Sequence, residues 1–164
     1  MTGNSLQIMN EHVAHLIALA ASGVIVTVCV VLHYEALRFL SRTVGVHVHK
    51  RIGVLVVMLG LLVAHVVEII IFALGYRVMQ LDTGLGHIAG LNENSFFEFI
   101  YFSSVVFTTV GFGDLVPTGA IRVLSATEGL VGLAMITWSA SFTFLAMQRL
   151  WPHLLSQAER NAKD

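Results

Sequence analysis

Apolar residues fill three long stretches of this chain, each of a length that crosses a bilayer as a helix. Val13 to Tyr34 carries no charged residue, Ile52 to Tyr76 is interrupted only by Glu68, and Val123 to Met147 only by Glu128. A spanning helix needs roughly 20 mostly apolar residues, and all three stretches meet that length. The first does not read as a cleaved signal peptide. No Lys or Arg precedes it, it lacks a small-x-small cleavage site, and its apolar run is too long. It ends near Leu37, where a short basic loop begins.

Between the second and third spans the pattern changes. Residues 76–94 are rich in Gly, Asn and Asp and read as an external turret loop. Ser95-Phe96-Phe97-Glu98 then matches a capping box, with the Ser95 hydroxyl placed to accept from the Glu98 amide while the Glu98 carboxylate reaches back. The helix it opens runs through Phe107, about 18 Å at 1.5 Å per residue. That is too short to cross, so it dips into the membrane and returns. Such backbone persists only where protein buries it or where it lines a water-filled cavity. The negative end of its dipole would point at the membrane centre and favour a cation there. Pro117 and Gly119 turn the chain into the third span, which leaves the membrane near Trp151, an interfacial residue, and stops at Pro152.

Composition agrees: 164 residues, 56% of them hydrophobic, with a mean hydropathy of +0.81, describe a membrane protein. The nine basic residues set an orientation. Arg38, Arg42, Lys50 and Arg51 lie between the first two spans, and Arg149, Arg160 and Lys163 follow the third. Only Arg77 and Arg122 fall on the other side. This bias puts the 38–51 loop and the C-terminus in the cytoplasm and the N-terminus outside. A net charge of −1 without a basic run gives no sign of nucleic-acid binding. Cys29 is the single cysteine, so no disulfide framework is implied.

The most specific stretch is Thr108-Thr109-Val110-Gly111-Phe112-Gly113-Asp114, with Pro117 three residues on. A chain that aims successive carbonyls at one axis must leave helix and strand geometry repeatedly. Gly111 and Gly113 reach positive φ without the Cβ penalty, so they permit that path. The stretch closely resembles the selectivity filter of potassium channels, and residues 52–151 resemble that family's pore unit. The resemblance implies an all-α membrane protein with three transmembrane helices, a re-entrant pore helix and a filter loop, assembled as a homotetramer around one axis. In that division, residues 1–51 form a peripheral helix and basic loop. Within 52–151 come an outer helix (52–75), the turret (76–94), the pore helix (95–107), the filter (108–114) and an inner helix (120–150). Residues 152–164 form a short cytoplasmic tail.

Several residue roles follow from the resemblance. The carbonyls of Thr109, Val110, Gly111 and Phe112, with the Thr109 hydroxyl, coordinate K⁺; Thr108 and Gly113 support the filter. Phe112 stands where many members carry tyrosine and cannot donate a hydrogen bond to the surrounding aromatic residues. Asp114 either pairs with Tyr101 or faces external water. Gly132 is either a hinge of the inner helix or a close-packing position beside Gly129. Glu128, an ionisable group inside a span, either lines the vestibule or is buried against Ser103 or Ser104.

His65 and Glu68 share one face of the second span, and with His33 and Glu35 they invite a metal site. Measured from the expected helix ends, His33 lies roughly 8 Å deep and His65 roughly 21 Å, a gap of ~13 Å that no metal bridges. Packing, proton sensing and metal binding follow in that order for His65 and Glu68. His33, His47, His49 and His153 map near the cytoplasmic surface and are candidate pH sensors or plain interfacial residues.

The function expected is passive conduction through a potassium-selective channel in a plasma membrane of prokaryotic type. It is not an enzyme and needs no cofactor beyond the permeant K⁺; its partners are three further copies and the lipid bilayer. The short stretch after Met147 leaves no room for a cytoplasmic ligand-binding domain, and the first span lacks the spaced arginines of a voltage sensor. The alternatives are a weakly selective monovalent cation channel, a non-conducting auxiliary subunit, or a membrane metal- or haem-binding redox protein.

Overall fold

The computed structural model describes residues 2–46, 50–81 and 84–151. The chain forms α1 (Thr2–Val46), α2 (Lys50–Leu81), β1 (Ile88–Ala89), α3 (Phe96–Phe107), β2 (Val116–Pro117) and α4 (Ile121–Leu150). Three of the helices are long and apolar enough to cross a membrane. Hydrocarbon offers no partner for backbone polar groups, so a continuous helix, which satisfies its own, is what such sequences adopt. This is an all-α, multi-pass membrane protein. Arg160, Lys163, His47, His49, His153 and Pro152, which entered the orientation, pH and helix-end expectations, lie outside the described residues.

The helices outrun the apolar spans that announce them. α1 continues past Glu35 and Arg38, which pair with each other on the helix surface at 3.1 Å. A charge pair at i,i+3 supports a helix and does not end it. α2 runs on to Leu81, so Tyr76 and Met79, expected in the turret, are buried helix residues. α3 starts as expected but without the capping box. The Glu98 amide bonds to the Ser95 carbonyl at 3.2 Å, and no side-chain cap forms. Extended backbone at Ser95 lets its carbonyl open the first turn, while its own amide is taken by the Asn92 carbonyl at 3.1 Å.

The described chain divides into two compact units, residues 1–30 with 67–134, and residues 31–66 with 135–164. In the first, aromatic side chains join α2 to α3: Tyr76 meets Phe102 edge-on at 4.9 Å, and Phe72 meets Phe107 at 6.5 Å. Ile121 and Leu124 of α4 are fully buried in the same unit. The second unit has its own core of Leu37, Leu40 and Val44 from α1, Val57 and Leu61 from α2, and Leu150 from α4.

Two strand fragments that the sequence does not announce tie the segment after α2 to the segment that leads into α4. β1 and β2 pair antiparallel, Ile88 opposite Pro117 and Ala89 opposite Val116. Thr118 extends the tie, its amide donating to the His87 carbonyl at 2.8 Å, and the Ile121 amide donates to the Leu85 carbonyl at 3.0 Å. The Gln80 side chain adds two anchors, donating to Glu93 at 2.9 Å and accepting from the Ile88 amide at 3.2 Å. The segment after the α3–α4 loop is therefore fixed by hydrogen bonds to residues 85–89.

Candidate functional site: the loop between α3 and α4

The backbone from Thr108 to Gly113 starts where α3 ends. The amide of Thr108 donates to the Ser104 carbonyl at 3.1 Å, and that of Thr109 to Val106 at 2.9 Å. Those of Val110 and Gly111 share the Val105 carbonyl at 3.1 and 3.4 Å. The last carbonyls of a helix lack intrahelical partners, and here the loop supplies them. The Thr108 hydroxyl adds a bond to the Ser104 carbonyl at 2.7 Å.

This pattern fixes which edge of the loop faces outward. No peptide in the described chain is cis. In a trans peptide the N–H and the preceding C=O point in opposite directions. With the amides of Thr109, Val110 and Gly111 directed back at α3, the carbonyls of Thr108, Thr109 and Val110 point away from it. Positive φ then recurs at every second residue, 59° at Thr109, 58° at Gly111 and 82° at Gly113. A Cβ at Gly111 or Gly113 would meet no described atom within 4 Å. Glycine is required there by the left-handed backbone and not by lack of space. Thr109 adopts the same region with a side chain, which pattern reading had not anticipated.

Around the loop, Tyr101 Oη donates to Asp114 Oδ2 at 2.7 Å, so the structure brings this pair together. The bond holds the Tyr101 hydroxyl above its usual range, because it and the neighbouring negative charge favour the protonated phenol. Gly132 is buried against the end of α3: a Cβ there would overlap the Phe107 carbonyl and approach its Cα to 3.0 Å. At Gly129 the nearest atom to such a Cβ is the Val106 carbonyl oxygen, at an ordinary 3.7 Å. Both glycines thus face the end of α3, and only Gly132 is in tight contact.

Glu128 is fully buried. Its carboxyl meets the Ser103 hydroxyl of α3 and the Tyr76 hydroxyl of α2. Ser104, the other expected partner, bonds instead to the Tyr101 carbonyl at 2.7 Å. Tyr76 had no place among the sequence candidates. The signal that could have found it is the apolar spacing Phe72, Tyr76, Met79, which carries the helical period beyond Gly75.

In the second unit the expected gap between His33 and His65 is wrong. Their rings stack at 5.3 Å, and Ser139 Oγ lies 3.3 Å from His33 Nε2 and 3.1 Å from His65 Nε2. Trp138 packs against His33 at 5.4 Å. Because α1 reaches Val46, His33 stands about 20 Å from that end and His65 about 22 Å from Lys50, at 1.5 Å per residue. Counting from Leu37 instead misplaced His33. Glu35 points to Arg38 and takes no part. Glu68, one turn along α2 from His65, is buried within the first unit. Ser139, a lone hydroxyl in an apolar span, is the residue the sequence reading passed over here.

Comparison with known proteins agrees with this arrangement. Residues 64–149, more than half of the chain, match the family model described as "Ion channel". A two-pore potassium channel 4 of Arabidopsis thaliana is 30% identical over 76 residues, 46% of this chain. The aligned region spans a quarter of that relative's length. No solved structure matches the chain. The matched region runs from α2 through α3 and the loop with alternating φ to the end of α4, and the chain belongs to the ion channel family.

Proposed function

We propose that this protein is a potassium-selective channel whose filter is the Thr108–Asp114 loop, with four copies surrounding one axis. The observation that carries the reading is the backbone itself. Amides held by α3 turn the Thr108, Thr109 and Val110 carbonyls the other way, and φ of alternating sign continues through Gly113. Four such rows form stacked oxygen cages that replace the hydration shell of a cation. Thr109, Val110, Gly111 and Phe112 supply the carbonyls, and Tyr101–Asp114 braces the outer end. One chain contributes one row, so a closed cage needs four. The Val110 and Phe112 side chains, 55% and 69% exposed in a single chain, are apolar surfaces that neighbouring copies would cover. The relative's name supports potassium as the ion. The basic-residue bias supports a cytoplasmic C-terminus, with Asp114 outside, in a plasma membrane.

Phe112 favours a second reading, a weakly selective cation pore, because its ring brings no hydroxyl to tie the filter to its surroundings. The deciding experiment is the reversal potential of purified protein in a planar bilayer, potassium on one side and sodium on the other. A value near the potassium equilibrium potential supports selectivity. A value near zero with real current assigns the weakly selective pore, and no current under any condition removes both.

A further inference from the structure

Several hydrogen bonds converge on Glu128, and their protons do not add up unless the carboxyl brings one. Ser103 Oγ lies within bonding distance of Glu128 Oε1 and 2.8 Å from the Ile69 carbonyl oxygen. Tyr76 Oη reaches Glu128 Oε2 and lies 3.2 Å from Ser125 Oγ, which in turn faces the Ile121 carbonyl at 3.5 Å. A hydroxyl has one proton, while a carbonyl and an ionised carboxylate only accept. With Glu128 ionised, Ser103 could satisfy one of its two neighbours and would press lone pairs against the other. A proton on Oε1 removes the conflict. Glu128 then donates to Ser103, Ser103 to the Ile69 carbonyl, Tyr76 to Oε2, and Ser125 to the Tyr76 oxygen in preference to the more distant Ile121 carbonyl.

The surroundings agree. Glu128, Tyr76 and Ser103 are all fully buried. A buried carboxylate needs a cation or several donors. Among the described residues, the side chains hydrogen-bonded to its carboxyl, Ser103 of α3 and Tyr76 of α2, carry no positive charge.

We infer that Glu128 carries a proton and acts as a clasp that ties α3 to both α2 and α4. The consequence for conduction rests on the channel reading above. α3 holds the filter amides through its last carbonyls, so Glu128 and Tyr76 are positioning residues for the filter.

The test has two arms, and the first does not depend on conduction. The infrared spectrum of the purified protein at neutral pH should contain a protonated-carboxyl band that disappears in Glu128→Gln. In Ser103→Ala that band should shift, because the carboxyl proton loses its acceptor. If Glu128→Gln instead removes a carboxylate band, or the carboxyl band does not move in Ser103→Ala, the assignment is overturned. In the second arm, Glu128→Gln should keep wild-type open probability and selectivity, since its amide donates where the acid does. Glu128→Ala and Tyr76→Phe should reduce open probability in symmetrical potassium by about tenfold, the weight of one buried polar group left without its partner. Wild-type currents in Glu128→Ala, or loss of function in Glu128→Gln, would sink the positioning role. If the wild type carries no current, the channel reading fails while the infrared arm still decides the proton.

Discussion

Adding one methyl group to Gly132 or to Gly129 should have opposite effects on stability, though both are glycines of α4 one turn apart. A Cβ at Gly132 would overlap the Phe107 carbonyl oxygen and approach the carbonyl carbon to 2.8 Å and Cα to 3.0 Å. These are backbone atoms of the last residue of α3, so no side-chain rotation relieves the overlap. At Gly129 the nearest atom stays at 3.7 Å, an ordinary contact. In both variants alanine gains the same helix propensity, about 1 kcal/mol over glycine. That gain cancels in the comparison, leaving the overpacking at Gly132, typically about 1–3 kcal/mol. For a chain of this length 1 kcal/mol corresponds to roughly 2–4 °C in melting temperature, so Gly132→Ala should melt several degrees below Gly129→Ala. Gly129→Ala itself should match or exceed the wild type. The assay is thermal unfolding of purified protein in one detergent at one potassium concentration, followed by tryptophan fluorescence. Equal melting of the two variants would refute the contact argument. Equal melting with altered gating in Gly132→Ala alone would assign Gly132 to the hinge role.

Other substitutions probe the remaining contacts. Gly113→Ala puts a side chain at φ 82°, a strain of about 1–2 kcal/mol in open space, so it should abolish selective potassium current and lower the melting temperature by roughly 2–8 °C. Ser139→Ala removes the hydroxyl shared by His33 and His65 and with it one hydrogen bond between helices, at about 1 kcal/mol; Ser139→Thr should restore the melting temperature. The Tyr101–Asp114 bond raises the phenol's pKa in the folded state, so its contribution is complete below the ordinary tyrosine value of about 10 and is lost as pH rises through the raised value. Filter stability should therefore decline in strong alkali, and Tyr101→Phe should lose that step and start from the weakened level at neutral pH.

Much of the architecture was legible because the bilayer is a demanding solvent. Three apolar spans and one short aromatic helix leave few arrangements open, and Gly111 and Gly113 mark where the backbone turns left-handed. Helix ends were less legible. Apolar content locates the part of a helix inside hydrocarbon, whereas backbone hydrogen bonding carries it further, past Glu35 and Arg38 in α1 and past Tyr76 in α2. That difference misplaced His33 relative to His65 and hid Tyr76.

The sequence by itself determined the solvent, the number of long helices and the left-handed backbone at Gly111 and Gly113, because each is set by local composition and by residue types with few conformational alternatives. Only the tertiary structure decided which polar groups meet. Glu128 faced a choice between water and protein that no spacing rule settles, and it found Ser103, 25 residues away in α3, and Tyr76, 52 residues away in α2. Ser139 bridges two histidines from different helices, and Gly132 lies beneath Phe107. Such pairings depend on how helices rotate and slide against each other. Those two degrees of freedom are fixed by side-chain packing over a whole helix face, and a single chain's periodicity does not contain them.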